Sequence, residues 1–347
     1  MRTPIRILLL SAVALLLAGV LAAATSDRPE TVAGPVAAPV ATPTSAAAAP
    51  ETPPTTPATT APPAATPPGF PAIAAGEHVR AVLTPNGLLL PALGAQEGRW
   101  QVMTPCAGLA SVHAQPVPGA HVVLDPGHGG SEPGAVGPSG LREADVNLDI
   151  ALRVRDLLEG EGAIVALTRD RDLRMTLATR AAIARSLEPL AFVSIHHNAA
   201  FIGKGTTPGS ELYHQLEDPG SRRLAGLLWE ELQAHLSPFG SDWGVGDQPG
   251  ARARRSALTG DDYYGVLRQA EHVTAVLTEA AFLTNPAEDA LLRTEEFRQA
   301  EAIAIATAIL RYVRTDDPGS GFAPTQEVST PAGGGGGSSG CVDPPLA

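Results

Sequence analysis

Four side chains of this sequence, His128, Glu143, His196 and Glu279, are of the types that hydrolytic metal chemistry requires. Two imidazoles and one carboxylate leaving an open fourth position form the ligand set of a catalytic zinc, and a second carboxylate can serve as base. One carboxylate and two neutral imidazoles leave the ion net positive, so a bound water is acidified towards neutral pH. A glutamate beside that water can take its proton and deliver it to a leaving amine. Singly, each residue also has an ordinary explanation. A histidine after a strand is commonly a turn or core residue, and Glu143 suits a helix start, where the dipole favours acids. His196 and His197 are adjacent, so in an extended strand at most one of them faces the site. Glu279 is harder to explain away, because it ends the apolar run Ala275-Val-Leu-Thr-Glu279 and a buried carboxylate is costly without a partner.

The elements that must position these residues follow an α/β pattern. His121-Val-Val-Leu-Asp-Pro-Gly-His-Gly-Gly130 reads as a short buried strand ending in a glycine-rich loop. A helix is expected over about residues 144–159, because Val146, Ile150, Val154 and Leu157 share a face and Gly160 and Gly162 follow. Residues 163–168 and 190–195 are apolar strands, separated by a helix that Thr176 caps. A strand at 211–214, a helix at 221–236 and a last strand at 275–279 come next. Asn285, followed by Pro286, caps a short helix, and Thr294 caps a closing helix to about residue 313. This alternation predicts an α/β fold with a twisted, mostly parallel sheet flanked by helices. Such sheets bind ligands at the carboxyl ends of their strands. His128, His196 and Glu279 fall at or just past such ends, with Glu143 on the same side.

Outside this block, residues 76–116 read as short strands and turns, a small N-terminal β-hairpin appendage packed on the domain that follows. Residues 237–262 read as a loop carrying Arg252, Arg254 and Arg255, either solvated or facing acidic groups of a ligand. Residues 1–24 pair Arg2 and Arg6 with an apolar run and a small-residue end, the pattern of a signal peptide; an uncleaved anchor is the alternative. Residues 25–75, rich in Ala, Pro and Thr, make a disordered linker. The expected order is signal peptide 1–24, linker 25–75, hairpin 76–116, catalytic domain 117–314 and a Gly/Pro/Ser-rich tail 315–347.

With 24 basic and 36 acidic residues the formal net charge is −12. That argues against non-specific nucleic-acid binding and gives no support to docking on anionic lipid. Cys106 and Cys341 are too few for a disulfide-dense scaffold and lack structural zinc spacing. If they pair, the bridge ties the hairpin to the tail across the whole domain, a loop closure worth about 4–5 kcal/mol. Free thiols are the alternative, less suited to an oxidising compartment.

Val122-Val-Leu-Asp-Pro-Gly-His-Gly-Gly130, Gly140-Leu-Arg-Glu143, Ser194-Ile-His-His-Asn-Ala199 and Leu277-Thr-Glu-Ala-Ala-Phe-Leu-Thr-Asn285 resemble, in order, the motifs of the zinc-dependent N-acetylmuramoyl-L-alanine amidases. Asn147-Leu-Asp-Ile-Ala151 and Leu167-Thr-Arg169 extend the likeness over roughly residues 117–313. The resemblance implies one zinc held by His128, Glu143 and His196, selecting His196 over His197, with Glu279 as the catalytic glutamate. It implies hydrolysis of the amide between the lactyl group of N-acetylmuramic acid and L-alanine, in peptidoglycan or its muropeptide fragments. It further implies a secreted enzyme of the cell envelope, expected to be monomeric and free of the membrane once the signal is cleaved. Rival readings are an inactive wall-binding or regulatory module of the same fold, and a zinc peptidase acting on the stem peptide. The hairpin and Cys341 are similar to secreted actinobacterial members of the family. The helical insert that blocks the site in some members has little room between His196 and the helix at Ser221.

Overall fold

The computed structural model describes residues 69–73, 79–200, 209–240, 250–330 and 336–346. The chain divides into two compact units, Met1–Pro63 and Ala64–Ala347, and every described residue belongs to the second. The expected signal peptide and nearly all of the expected linker lie outside the described residues. No helix among the described residues is long and apolar enough to cross a membrane.

Strands β1 (Ala81–Leu83), β2 (Leu89–Gln96), β3 (Arg99–Met103), β4 (Leu109–Val112) and β5 (Gln115–Val117) form an antiparallel sheet in the order β4-β3-β2-β1-β5. Strands β2 and β3 form the expected hairpin, and three further strands widen it into a sheet. The two strands not foreseen, Leu-Ala-Ser-Val and Gln-Pro-Val, carry little β-branched or aromatic signal. Their strand conformation comes from pairing with β3 and β1, and β5 reaches one residue past the expected boundary.

The second sheet starts with β6 (Val122–Pro126), followed by α1 (Glu143–Gly160), β7 (Val165–Leu167), α2 (Leu177–Leu187) and β8 (Ala191–Asn198). Next come β9 (Glu211–His214), α3 (Pro219–Leu236), β10 (Gly250–Arg252), β11 (Arg254–Ser256) and α4 (Gly265–Gln269). The chain closes with β12 (Ala275–Phe282), α5 (Pro286–Leu292), α6 (Glu295–Arg314) and β13 (Gln326–Val328). The sheet order is β10-β9-β12-β8-β6-β7. Strands β7, β6, β8 and β12 are parallel, whereas β9 runs antiparallel to β12 and carries β10 parallel to itself.

Burial on both faces explains the near-continuous apolar strands. Along β6, Val122 and Leu124 pack with α1, α3 and α6, while Val123 points to the other side, into a core shared with α2, α4 and the N-terminal sheet. Helix starts follow their caps: Thr176, Asn285 and Thr294 accept from the backbone N–H of Thr179, Ala287 and Phe297. In α1, Val146, Ile150 and Val154 are fully buried as expected, but Leu158 rather than Leu157 completes the stripe. The contact follows an i, i+4 ridge along the helix.

One correction concerns residues 237–262, which are not simply a loop. Within them β10 extends the large sheet and β11 pairs with β13 from the tail. Three-residue strands rich in arginine show no periodic pattern, and their partners are distant in sequence.

Candidate metal centre

Strand β6 ends at Pro126 and the chain turns sharply through Gly127, His128, Gly129 and Gly130, with His128 itself at φ 61°. A left-handed non-glycine residue persists only where its surroundings hold it, and such residues cluster at functional sites. Two buried arginines supply the hold. Arg169 donates to the carbonyls of Pro126 (2.8 Å), Gly127 (2.9 Å) and Ala144 (2.8 Å). Arg180 donates to Pro126 O (2.8 Å) and His128 O (2.7 Å), and pairs with Asp125 at 2.6 Å. Asp125 also accepts from Thr168 and Ser194 hydroxyls. Burial disfavours its charge, but Arg180 and these hydrogen bonds outweigh burial and hold its carboxyl below the ordinary value.

Glu143 is the first residue of α1, and β8 carries His196 beside β6. Glu143 Oε1 lies 3.2 Å from His128 Nε2 and 3.0 Å from His196 Nδ1. The two imidazoles meet edge to face at 4.9 Å between centroids. One ligand atom from each of the three residues falls within 4.8 Å of the others. Close approach requires glycine at two points. A Cβ on Gly127 would stand 2.1 Å from the His196 ring, and one on Gly134 would stand 2.4 Å from Glu143 Oε2.

The electrostatics suit a cation. Burial opposes the charge on Glu143, yet hydrogen bonds and charge from His128 and His196 hold its carboxyl well below the ordinary range. Burial, reinforced by His128, lowers His196 against the pull of Glu143, so its imidazole is neutral near pH 7. His128 differs: burial lowers it, but Glu132 and Glu143 outweigh this and raise it to about 9. A cation would replace that proton, as expected where ligands deprotonate on binding. Donors held at about 2.0–2.2 Å by one tetrahedral zinc stand roughly 3.3–3.5 Å apart, close to the distances from Glu143 to the two imidazoles. The three residues therefore fit a zinc ion.

His197, the alternative to His196, points into the interior. It is fully buried, with Nδ1 2.8 Å from Asn147 Oδ1 and Nε2 3.1 Å from Glu301 Oε2. The alternation of β8 thus turns one histidine to the site and its neighbour away.

Glu279 pairs in register with His196 across β12 and β8, and with Glu211 across β9. With His128 and His196 it lines a cavity of about 290 Å³ that also touches Glu132, Tyr264 and Gly336. Its Oε2 is buried with no hydrogen-bond partner among the described residues. Burial, then the negative charges of Glu143 and Glu211, push its carboxyl well above the ordinary value against His128 and Arg254. Both His196 and Glu279 lie within their strands rather than past the ends, because β8 and β12 continue pairing to Asn198 and Phe282. Only His128 sits on a loop.

Of the three arginines in 250–256, Arg252 is buried and Arg254 is engaged rather than solvated, whereas Arg255 is partly exposed. Arg254 lies over the Tyr213 ring at 4.3 Å, donates to Tyr264 Oη (2.5 Å) and Gln326 Oε1 (2.7 Å), and stands 3.7 Å from Glu211. Sequence reasoning missed the supporting residues Arg180 and Glu301, and gave Asp125, Asn147 and Arg169, all present in the motifs, no task. One signal was present: Arg180 stands among alanines and Ile183 on the inward face of α2.

The Amidase_3 family, described as N-acetylmuramoyl-L-alanine amidase, matches residues 122–311, more than half of the chain. Among curated proteins, N-acetylmuramoyl-L-alanine amidase AmiC of Neisseria meningitidis is 32% identical over 244 residues, covering 62% of this chain and 57% of that protein. YqiI of Bacillus subtilis is 34% identical over 212 residues, covering 60% of this chain and 91% of that protein. Among solved structures, Cwp6 from Clostridium difficile is similar with a TM-score of 0.51 and 29% identity, over 59% of this chain and 32% of that one. The matched span runs from β6 into α6 and contains His128, Glu143, His196 and Glu279 together. The chain belongs to the N-acetylmuramoyl-L-alanine amidase family.

Proposed function

We propose that this protein is a secreted zinc amidase that hydrolyses the bond between the lactyl group of N-acetylmuramic acid and L-alanine in peptidoglycan. One observation carries the reading: a buried glutamate with raised proton affinity, Glu279, opens on the same cavity as a His–Glu–His donor set. Family membership supports the choice of substrate bond. His128, Glu143 and His196 would hold the ion, and residues 117–314 would form the catalytic domain. When bound, zinc acidifies a water and polarises the scissile carbonyl.

The chain's own residues do the rest. Arg169 and Arg180 fix the loop that presents His128, and Asp125 anchors Arg180. Glu279 takes a proton from the attacking water and passes it to the departing amine of L-alanine. A carboxyl whose proton affinity is raised above the ordinary value is better suited to both transfers than an unperturbed one. Residues 1–24 would direct export, and the protein would act as a monomer.

The reading is tested by incubating purified protein with peptidoglycan. Release of stem peptides bearing a free amino terminus on L-alanine, lost on chelation and restored by zinc, is the expected result. Cleavage inside the peptide would replace this reading with a stem peptidase, and wall binding without any product would replace it with an inactive module.

A further inference from the structure

Behind the donor set lies a buried polar chain that the proposed reaction does not use. Asn147, on the second turn of α1, donates through Nδ2 to Gly127 O (3.2 Å) and to Glu143 Oε1 (3.3 Å). Gly127 O can only accept, which fixes the amide with its Oδ1 turned the other way. That oxygen meets His197 Nδ1 at 2.8 Å, so this ring nitrogen must carry a hydrogen. The opposite nitrogen faces Glu301 Oε2 of α6 at 3.1 Å. His197, Asn147 and Glu301 are all fully buried. The backbone N–H of His197 also donates to Glu143 Oε1 at 3.2 Å.

Three elements, α6, β8 and α1, therefore converge on one carboxylate oxygen and on the peptide just before His128. Placing a carboxyl group and an imidazole in the core is costly unless they are hydrogen-bonded, and packing alone would be served as well by apolar residues. The direction of the chain is the informative part. Glu301 holds His197, and His197 Nδ1–H and Gly127 O hold the Asn147 amide from opposite ends, which turns its Nδ2 towards Glu143.

We infer that Asn147, His197 and Glu301 are positioning residues that set the orientation of Glu143 and thereby its affinity for the metal. The inference rests on the proposed reading of Glu143 as a ligand. Groups that orient metal ligands typically change metal affinity about 10–100-fold when removed. The chain also makes α6 part of the site although none of its residues lines the cavity.

Zinc affinity, measured on the purified protein by competition with a chromophoric chelator, tests this, with the metal-free melting temperature as a control for folding. Asn147→Leu should weaken zinc binding about 100-fold. Glu301→Leu should weaken it about 10-fold. Glu301→Gln, which can still hydrogen-bond His197, should stay within about 3-fold of wild type, an estimate from the retained bond. Because the effect passes through Asn147, the Asn147→Leu/Glu301→Leu double variant should bind no more weakly than Asn147→Leu alone. Additive losses, or equal affinity for Glu301→Leu and Glu301→Gln, would overturn the inference. If Asn147→Leu fails to fold, the Glu301→Leu and Glu301→Gln pair decides. A wild-type protein without zinc affinity would instead bring down the metal centre itself, and this inference with it.

Discussion

At the rim of the parallel sheet, His128, Glu143 and His196 are held by buried hydrogen bonds that reach into three helices. The five-stranded sheet and the C-terminal segment are held differently. There Cys106 and Cys341 form a disulfide, backbone bonds run from Thr176 N to Pro105 O and from Leu177 N to Gly336 O, β13 pairs with β11, and the Asp343 carboxylate accepts from Cys106 N. The first region lies inside the family match and the second outside it. In the rim, side chains of fixed chemical type are needed at fixed points. In the clamp, one covalent link is joined by backbone bonds and by a few side-chain bonds such as Cys106 N to Asp343 Oδ1. The two regions meet at α2, whose start takes Gly336 on one side and whose Arg180 reaches His128 on the other.

Replacing both cysteines, Cys106→Ser/Cys341→Ser, should lower unfolding free energy by about 5 kcal/mol, since the bridge closes a very long loop in the unfolded chain. Amide hydrolysis per folded molecule should stay within about 3-fold of wild type, because the proposed ligands keep their own supports. A large loss of rate with little change in denaturant midpoint would show that the clamp serves the site directly.

At the other extreme, Glu279→Gln should cost about 10²–10⁴-fold in kcat, the usual worth of a general acid–base group. Zinc affinity and melting temperature should hold or rise, because a buried, unpartnered carboxyl is removed. Retained turnover would remove Glu279 from the mechanism.

Asp125→Asn strikes the support between strand and loop. Leaving Arg180 buried and unpaired should destabilise the protein by about 3–5 kcal/mol. The sign with pH follows from the lowered folded-state value of Asp125. Its contribution is present above the unfolded value of about 3.9 and is lost as pH falls through the folded one. Denaturation curves from pH 6 down to pH 2 should therefore fall more steeply for wild type than for Asp125→Asn. Parallel curves would mean that Asp125 is not the acid-sensitive group.

The smallest effect is expected at the shared helix. Thr176→Ala removes the cap of α2 and should cost about 1 kcal/mol in chemical denaturation, with rate unchanged. A change in KM without a change in stability would place the start of α2 in substrate contact.

Much of this architecture is legible in the sequence. The apolar strands, the caps at Thr176, Asn285 and Thr294, and the glycine loop at His128 are local signals. Short-range sterics and hydrogen bonds decide them, so they appear in the sequence as spacing and residue type. What was not legible depends on distant partners. Strands β4, β5, β11 and β13 have weak patterns and become strands by pairing across the chain. Likewise nothing near Arg180 or Glu301 announced that each would be buried against a loop or histidine far away in sequence.

The α/β class, the four residue types proposed for chemistry and their approach to one edge of a sheet are readable from the chain, because periodicity and strand alternation are properties of neighbouring residues. Which face of β8 meets the site, how the Asn147 amide points, and the stacking of Arg254 on Tyr213 and Tyr264 are settled by the fold. Those choices depend on burial and on partners brought together by the fold, and neither is encoded in any short stretch of chain.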